Sequence, residues 1–85
     1  MRYTIEFTAS ALREFRALER QIQRRISAKI EALRTDPFPP GVGKYQGEAD
    51  HWRIRVGDYR IIYRIEKLRV VIVIVRIGNR REVYR

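Results

Sequence analysis

Apolar and polar positions change period several times along this chain, and each change marks an element. Tyr3, Ile5 and Phe7 alternate with polar neighbours, so Arg2 to Phe7 reads as a strand with one buried side. Thr8 suits the N-cap of a first helix, in which Leu12, Phe15 and Leu18 fall at helical spacing. A second helix is predicted from about Arg20 to Leu33, with Ile22, Ile26, Ile30 and Leu33 along one stripe. Together they form an amphipathic hairpin whose apolar stripes are assigned to the core. The segment TDPFPPGVG, Thr35 to Gly43, ends the second helix, because three prolines and two glycines cannot continue it. It is a loop and not a linker, since neither flanking part could bury a core alone. Residues 1–85 therefore make one domain.

The second half has the period of a sheet. Lys44 to Gly47 begins it, and then Trp52, Ile54 and Val56 alternate with Arg53 and Arg55. Gly57-Asp58 supplies a tight turn into a returning strand from Tyr59 to Ile65. A two-residue loop pairs Val56 with Tyr59, Arg55 with Arg60, Ile54 with Ile61, and Trp52 with Tyr63. Arg53, Arg55 and Arg60 then share one face, with Arg55 and Arg60 directly opposite each other. Like charges facing across a strand pair are destabilising, so this arrangement points to a polyanionic ligand. Glu66 to Arg69 turns the chain into Val70 to Ile77, which is apolar on both sides and is predicted to be central. Gly78-Asn79 is expected to break that strand, leaving Arg80 to Arg85 as a short basic tail. The order is β-α-α-β-β-β: an α+β fold with a helical hairpin on one face of a small, mainly antiparallel sheet.

Charge sharpens this picture. The net charge is +9, yet residues 1–50 contribute only +2 while residues 51–85 contribute +7. Arginine outnumbers lysine 16 to 3, which favours planar, bidentate recognition of phosphate. An arginine-rich genome or adaptation to heat would explain that ratio but not the asymmetry, so a nucleic-acid ligand is the better reading. The chain has no cysteine, which excludes disulfides and thiolate chemistry. Its longest apolar run, Val70 to Val75, is strand-sized, and the N-terminus lacks a signal-peptide pattern, so a cytoplasmic protein is expected.

Several chemistries find no support. The single histidine, His51, and scattered acidic residues give no metal-ligand set, so neither a metal nor another cofactor is expected. Ser10 and Ser27 lie on the helices without a nearby histidine, and Gly41-Val42-Gly43 lacks the setting of a phosphate loop. What remains is the arginine face and the tail Arg80-Arg81-Glu82-Val83-Tyr84. Arginines can clamp a phosphodiester and stabilise a pentacoordinate transition state without metal, and RNA supplies its own nucleophile in the 2′-hydroxyl. Tyr84 either stacks on an unpaired base or closes an edge of the core.

The segments KYQGEADHWRIRVGDYRIIYRI and VVIVIVRIGNRREVYR, above all R-I-R-V-G-D-Y-R-x-x-Y and G-x-R-R-E-V-Y, resemble the RelE toxins of the RelE/ParE superfamily. The resemblance covers nearly the whole chain. It implies the RelE-like microbial RNase fold and the toxin half of a type II toxin–antitoxin module. RelE toxins enter the ribosomal A site and cut mRNA by 2′-hydroxyl attack, leaving a cyclic phosphate and a 5′-hydroxyl. The resemblance further implies a RelB-like antitoxin with an acidic or amphipathic segment that wraps the toxin, besides ribosome and mRNA as partners. Two basic family positions, usually lysines, fall on Arg53 and Arg55; a family arginine falls on Arg60, another on Arg80, and the terminal tyrosine on Tyr84. Arg55, Arg60, Arg80 and Tyr84 are thus the implied catalytic set, with Lys44, Arg53 and Arg81 as RNA-binding residues.

Two departures from the family pattern matter. Arginine stays protonated, so Arg53 and Arg55 are poor general bases; His51, Glu48 or Glu82 would take the proton, or catalysis is mainly electrostatic. The chain also ends one residue after Tyr84, with no room for the C-terminal helix of some members. The alternative is a ParE-like DNA gyrase inhibitor with the same fold and no nuclease chemistry. A third reading is a nucleic-acid-binding module with no toxicity.

Overall fold

Thr8 is where the chain turns from strand to helix, and it fastens both to the sheet. Its hydroxyl accepts the Ala11 N–H at 3.0 Å, as an N-cap should, and donates to the Val75 carbonyl at 3.1 Å. The computed structural model describes residues 2–46 and 50–79. Strand β1 spans Thr4–Phe7, helix α1 Ala9–Arg16 and helix α2 Arg20–Leu33. The remaining strands are β2, Gly43–Lys44; β3, His51–Val56; β4, Tyr59–Glu66; and β5, Val71–Asn79. They form one sheet in the order β1-β5-β4-β3-β2. β1 runs parallel to β5, and the other pairings are antiparallel.

Both helices lie on one face. Ala11 of α1 and Ile26, Ile30 and Leu33 of α2 are buried against Ile54, Ile61, Tyr63, Ile65, Ile72, Ile74 and Ile77 of the sheet. Each fully buried aliphatic side chain contributes roughly 1.5–3 kcal/mol, so this interface is the main source of stability. Gln23 links the hairpin by donating to the Phe15 carbonyl at 3.0 Å, which also accepts the Leu18 N–H at 3.1 Å at the end of α1. The proline loop is pinned in turn by the Tyr63 hydroxyl, which donates to the Pro37 carbonyl at 2.7 Å. Burial, and then the nearby Asp36 carboxylate, push this phenol above its ordinary range, so it remains a donor at physiological pH.

The predicted hairpin register is the observed one: Val56 with Tyr59, Arg55 with Arg60, Ile54 with Ile61, Trp52 with Tyr63. Gly57 takes φ +59°, the conformation that a two-residue turn requires of its first central position. Two details of β5 differ from expectation. First, the strand does not break at Gly78: Gly78 and Asn79 pair with Arg60 and Tyr59. Second, Val75 is an extra residue, since Ile74 pairs with Tyr63 and Arg76 with Ile62. Such a bulge flips the alternation, which brings Ile77 onto the helix side with Ile72 and Ile74.

Val70 also departs from its predicted place in the strand. It belongs to the turn before β5, at φ +55°, an unfavourable conformation for a β-branched residue. Its carbonyl accepts the Thr4 N–H at 3.0 Å, which aligns β1 beside β5. Val70→Gly is expected to raise stability by about 0.5–1 kcal/mol, measured as an increased urea midpoint. A lowered midpoint would mean that contacts of the isopropyl group outweigh the relief of strain.

Candidate active site

The face of the sheet opposite the helices carries the arginines in rows. Cross-strand pairing sets Arg55, Arg60 and Gly78 in one row over β3, β4 and β5. The next row holds Gly43, Arg53, Ile62 and Arg76, and a third holds His51, Arg64, Val73 and Glu6. Arg53, Arg55 and Arg60 therefore share one face, as their spacing predicts. Residues two apart on that face stand about 7 Å apart along a strand, a reach that suits one extended phosphodiester chain.

This face is not uniformly solvated. Arg60 is only 6% exposed and lies among buried apolar residues, with Ile62 at 1% and Val73 at 6%. The shared face therefore differs along its row: Arg55 is exposed, whereas Arg60 is largely withdrawn from solvent. A guanidinium held in such surroundings acts on a nearby phosphate with less screening than one in water.

Carboxylates sort the arginines further. Arg64 donates to Glu66 at 2.6 Å, and Arg69 bridges Glu66 at 2.7 Å and Glu6 at 3.1 Å. The hydrogen bonds from Arg64 and then Arg69 hold the Glu66 carboxyl below its ordinary range, so Glu66 is ionised at neutral pH. Arg76 pairs with Glu14 of α1 at 3.1 Å, and Glu14 also accepts the Ile77 N–H at 2.9 Å. Arg53 and Arg55 have no such partner: among the described residues, no carboxylate lies within ion-pairing distance of either. On this face, Arg53 and Arg55 of β3 are thus left without the carboxylate partners that Arg64 and Arg76 have.

The remaining candidates fall in different places. Lys44 pairs with Trp52, so its side chain belongs to the helix side of the sheet, and the structure does not bring it to the face of Arg53 and Arg55. Its contribution there is the backbone carbonyl, which accepts from Arg53 Nη1 at 3.3 Å. His51 shares the face of Arg53, two residues away. Arg80, Arg81 and Tyr84 lie outside the described residues, as do Glu48 and Glu82. Among the described residues, no three acidic, histidine or cysteine side chains cluster as metal ligands, and no helix is long and apolar enough to cross a membrane.

Gly43 is a position beside the candidate site that its sequence pattern does not single out. It lies opposite Arg53, and a Cβ there would overlap the Arg53 guanidinium. The missing side chain lets Arg53 lie flat across β2. The available sequence signal was the glycine at the start of the strand. Gly43→Ala is expected to leave the melting temperature nearly unchanged, because a flexible guanidinium can move aside, and to weaken RNA binding by displacing Arg53. Unchanged RNA affinity in a titration would show that this orientation of Arg53 does not matter.

Comparison with known proteins agrees with this architecture. A sequence model for the ParE toxin of the type II toxin–antitoxin system parDE matches residues 5–84. Toxin RelG of Mycobacterium tuberculosis is 32% identical over 89 residues, spanning 100% of this chain and 99% of its own length. The archaeal RelE–RelB complex from Pyrococcus horikoshii contains a chain that superposes with a TM-score of 0.81 at 28% identity, over 94% of this chain and 97% of that one. The RelBE2 toxin–antitoxin complex of M. tuberculosis gives 0.83 and 28%, over 94% and 93%. The chain belongs to the RelE/ParE superfamily and is a RelE-like toxin of a type II toxin–antitoxin system.

Proposed function

We propose that this toxin is a ribosome-dependent mRNA endonuclease that uses the RNA's own 2′-hydroxyl as nucleophile. The observation that carries this reading is the row of Arg55 and Arg60 beside Arg53, with no carboxylate among the described residues to neutralise Arg53 or Arg55. In the reaction the 2′-oxygen bonds to phosphorus and loses its proton, the P–O5′ bond breaks, and the 5′-oxygen takes up a proton. Negative charge accumulates on the non-bridging oxygens, where fixed guanidinium groups stabilise it more than they stabilise the substrate. Arg60, preorganised by burial, is assigned the main transition-state contact, with Arg55 beside it and Arg53 holding the neighbouring backbone. Arg80 and Tyr84 are assigned by family resemblance, the first to the leaving oxygen and the second to orienting the nucleotide. Arg81 and Lys44 are assigned to RNA further from the cut. No metal enters this scheme.

The partner in this reading is an antitoxin, as in the RelE–RelB complexes of the structural neighbours. The excess of positive charge in residues 51–85 calls for an acidic or amphipathic segment lying across helices and sheet. Co-expression with the adjacent open reading frame should yield a stable complex and relieve toxicity.

A second reading has one observation in its favour: the matching family model describes ParE toxins. A ParE-like gyrase inhibitor would use this fold for binding only. Pulse labelling after induction separates the two. Arrested protein synthesis with truncated mRNA supports the nuclease, whereas arrested DNA synthesis with intact mRNA supports gyrase inhibition.

A further inference from the structure

The outer edge of β3 turns from the arginine face toward helix α2, and there the structure forms a pocket of about 300 Å³ lined by Lys29, Pro40, Gly41, Arg53, Ile54 and Arg55. β2 covers β3 only at Trp52 and Arg53, so from Ile54 onward this edge has no neighbouring strand among the described residues. Lys29 is half-buried at the pocket wall and makes no ion pair with any described carboxylate. Three cations thus line one concavity, and none of them is ion-paired to a described carboxylate. At the opposite side of the pocket the chain stays clear: Gly41 sits at φ +90°, with nothing within 4 Å of where a Cβ would be.

Arg25 extends the same feature. It precedes Lys29 by one helical turn, about 6 Å along α2, so the two side chains share a face. Its guanidinium lies against Gly57 at the β3–β4 turn, close enough that a Cβ there would press on it. The buried stripe of Ile26, Ile30 and Leu33 runs beside this pair, which holds both cations at a rigid helix surface.

We propose that Lys29 and Arg25 form a second RNA-phosphate site on the helix side of β3, reached past Arg53 and Arg55 at the strand edge and separate from the reacting row. It rests on the nuclease reading above and adds the path of the RNA backbone: from the Arg55–Arg60 row around the free edge of β3 and along α2. Lys29 binds a phosphodiester there and touches no reacting atom. The RNA is either the cleaved message or ribosomal RNA, since both present the same phosphodiester.

The test titrates the whole toxin, over a series of salt concentrations, with two probes. One is a 2′-O-methylated single-stranded RNA oligonucleotide, which cannot be cleaved, and the other is vacant ribosomes. For Lys29→Gln, the slope of log affinity against log salt should flatten by about 0.7, the value of one phosphate contact on a single strand. Lys29→Arg should restore it, and cleavage should show the loss of Lys29 mainly in KM. A flattened slope with the oligonucleotide assigns the site to mRNA, and one seen only with ribosomes assigns it to ribosomal RNA. An unchanged slope with both probes, in a toxin whose Arg55→Gln variant does bind more weakly, overturns the second site and leaves the nuclease reading standing. Lys29→Gln that weakens only the antitoxin complex would also overturn it, by making the pocket a carboxylate site. Failure of the unsubstituted toxin to bind either probe would remove the nuclease reading and this site together.

Discussion

Arg60→Met is expected to leave the toxin folded, with stability within about 1 kcal/mol of wild type, while lowering mRNA cleavage by about 10²–10³. Methionine retains an unbranched apolar stem of similar reach in a site only 6% exposed, so packing beside Ile62 is preserved. Losing the charge removes both the desolvation cost of a buried cation and its repulsion from Arg55, which offsets the interactions that Arg60 makes. Arg60→Ala is the less informative variant, because truncating a buried side chain leaves a cavity and confounds folding with chemistry. Arg80→Ala, at the position assigned by resemblance, should lose cleavage by a similar factor. Circular dichroism and urea denaturation provide the folding control. If Arg60→Met cuts mRNA at the wild-type rate, Arg60 is a structural residue and the transition-state role assigned to it is wrong.

Arg55→Thr should move stability and activity in opposite directions. The Arg55–Arg60 pair is directly cross-strand, and Arg55 has no described carboxylate partner, so its removal relieves a like-charge contact worth on the order of 0.2–1 kcal/mol. Threonine suits an exposed strand position. Cleavage should fall by at least about tenfold, since each 1.4 kcal/mol of lost transition-state stabilisation is a factor of ten. A variant that loses both stability and activity would show that Arg55 supports the sheet through its stem, and that the pair is not a strained functional arrangement.

The hairpin was legible because two independent signals agree. The alternation of Trp52 to Val56 sets the face of each side chain, and Gly57-Asp58 sets the loop length, so register follows from the two together. The stripe of the second helix was equally clear, as Ile26, Ile30 and Leu33 are all buried, whereas in the first helix Ala11 takes the buried place and Leu12 is only partly covered. Less legible was anything that depends on a neighbour distant in sequence. The bulge at Val75 is stabilised by Thr8, 67 residues earlier, and no local pattern announces it. Burial of Arg60 had a faint signal: Ile61 and Ile62 are consecutive, so β4 needs apolar surroundings on both faces. The sorting of arginines by Glu6, Glu14 and Glu66 depended on which strands and helices meet, which sequence order alone did not supply. The side of the sheet that Lys44 takes was not legible for a simpler reason. One step along a two-residue strand moves a side chain to the other face.

The most direct measurement of the central claim is cleavage by the purified toxin on ribosomes programmed with a defined mRNA, compared with an mRNA carrying one 2′-O-methyl group at the cut nucleotide. The unmodified message is expected to be cleaved only when ribosomes are present, with a cyclic phosphate on one fragment and a 5′-hydroxyl on the other. The modified message should remain intact at that position, because its nucleophile is blocked. Equal cutting of both messages, or no cutting of either beside inhibition of DNA gyrase, would contradict it.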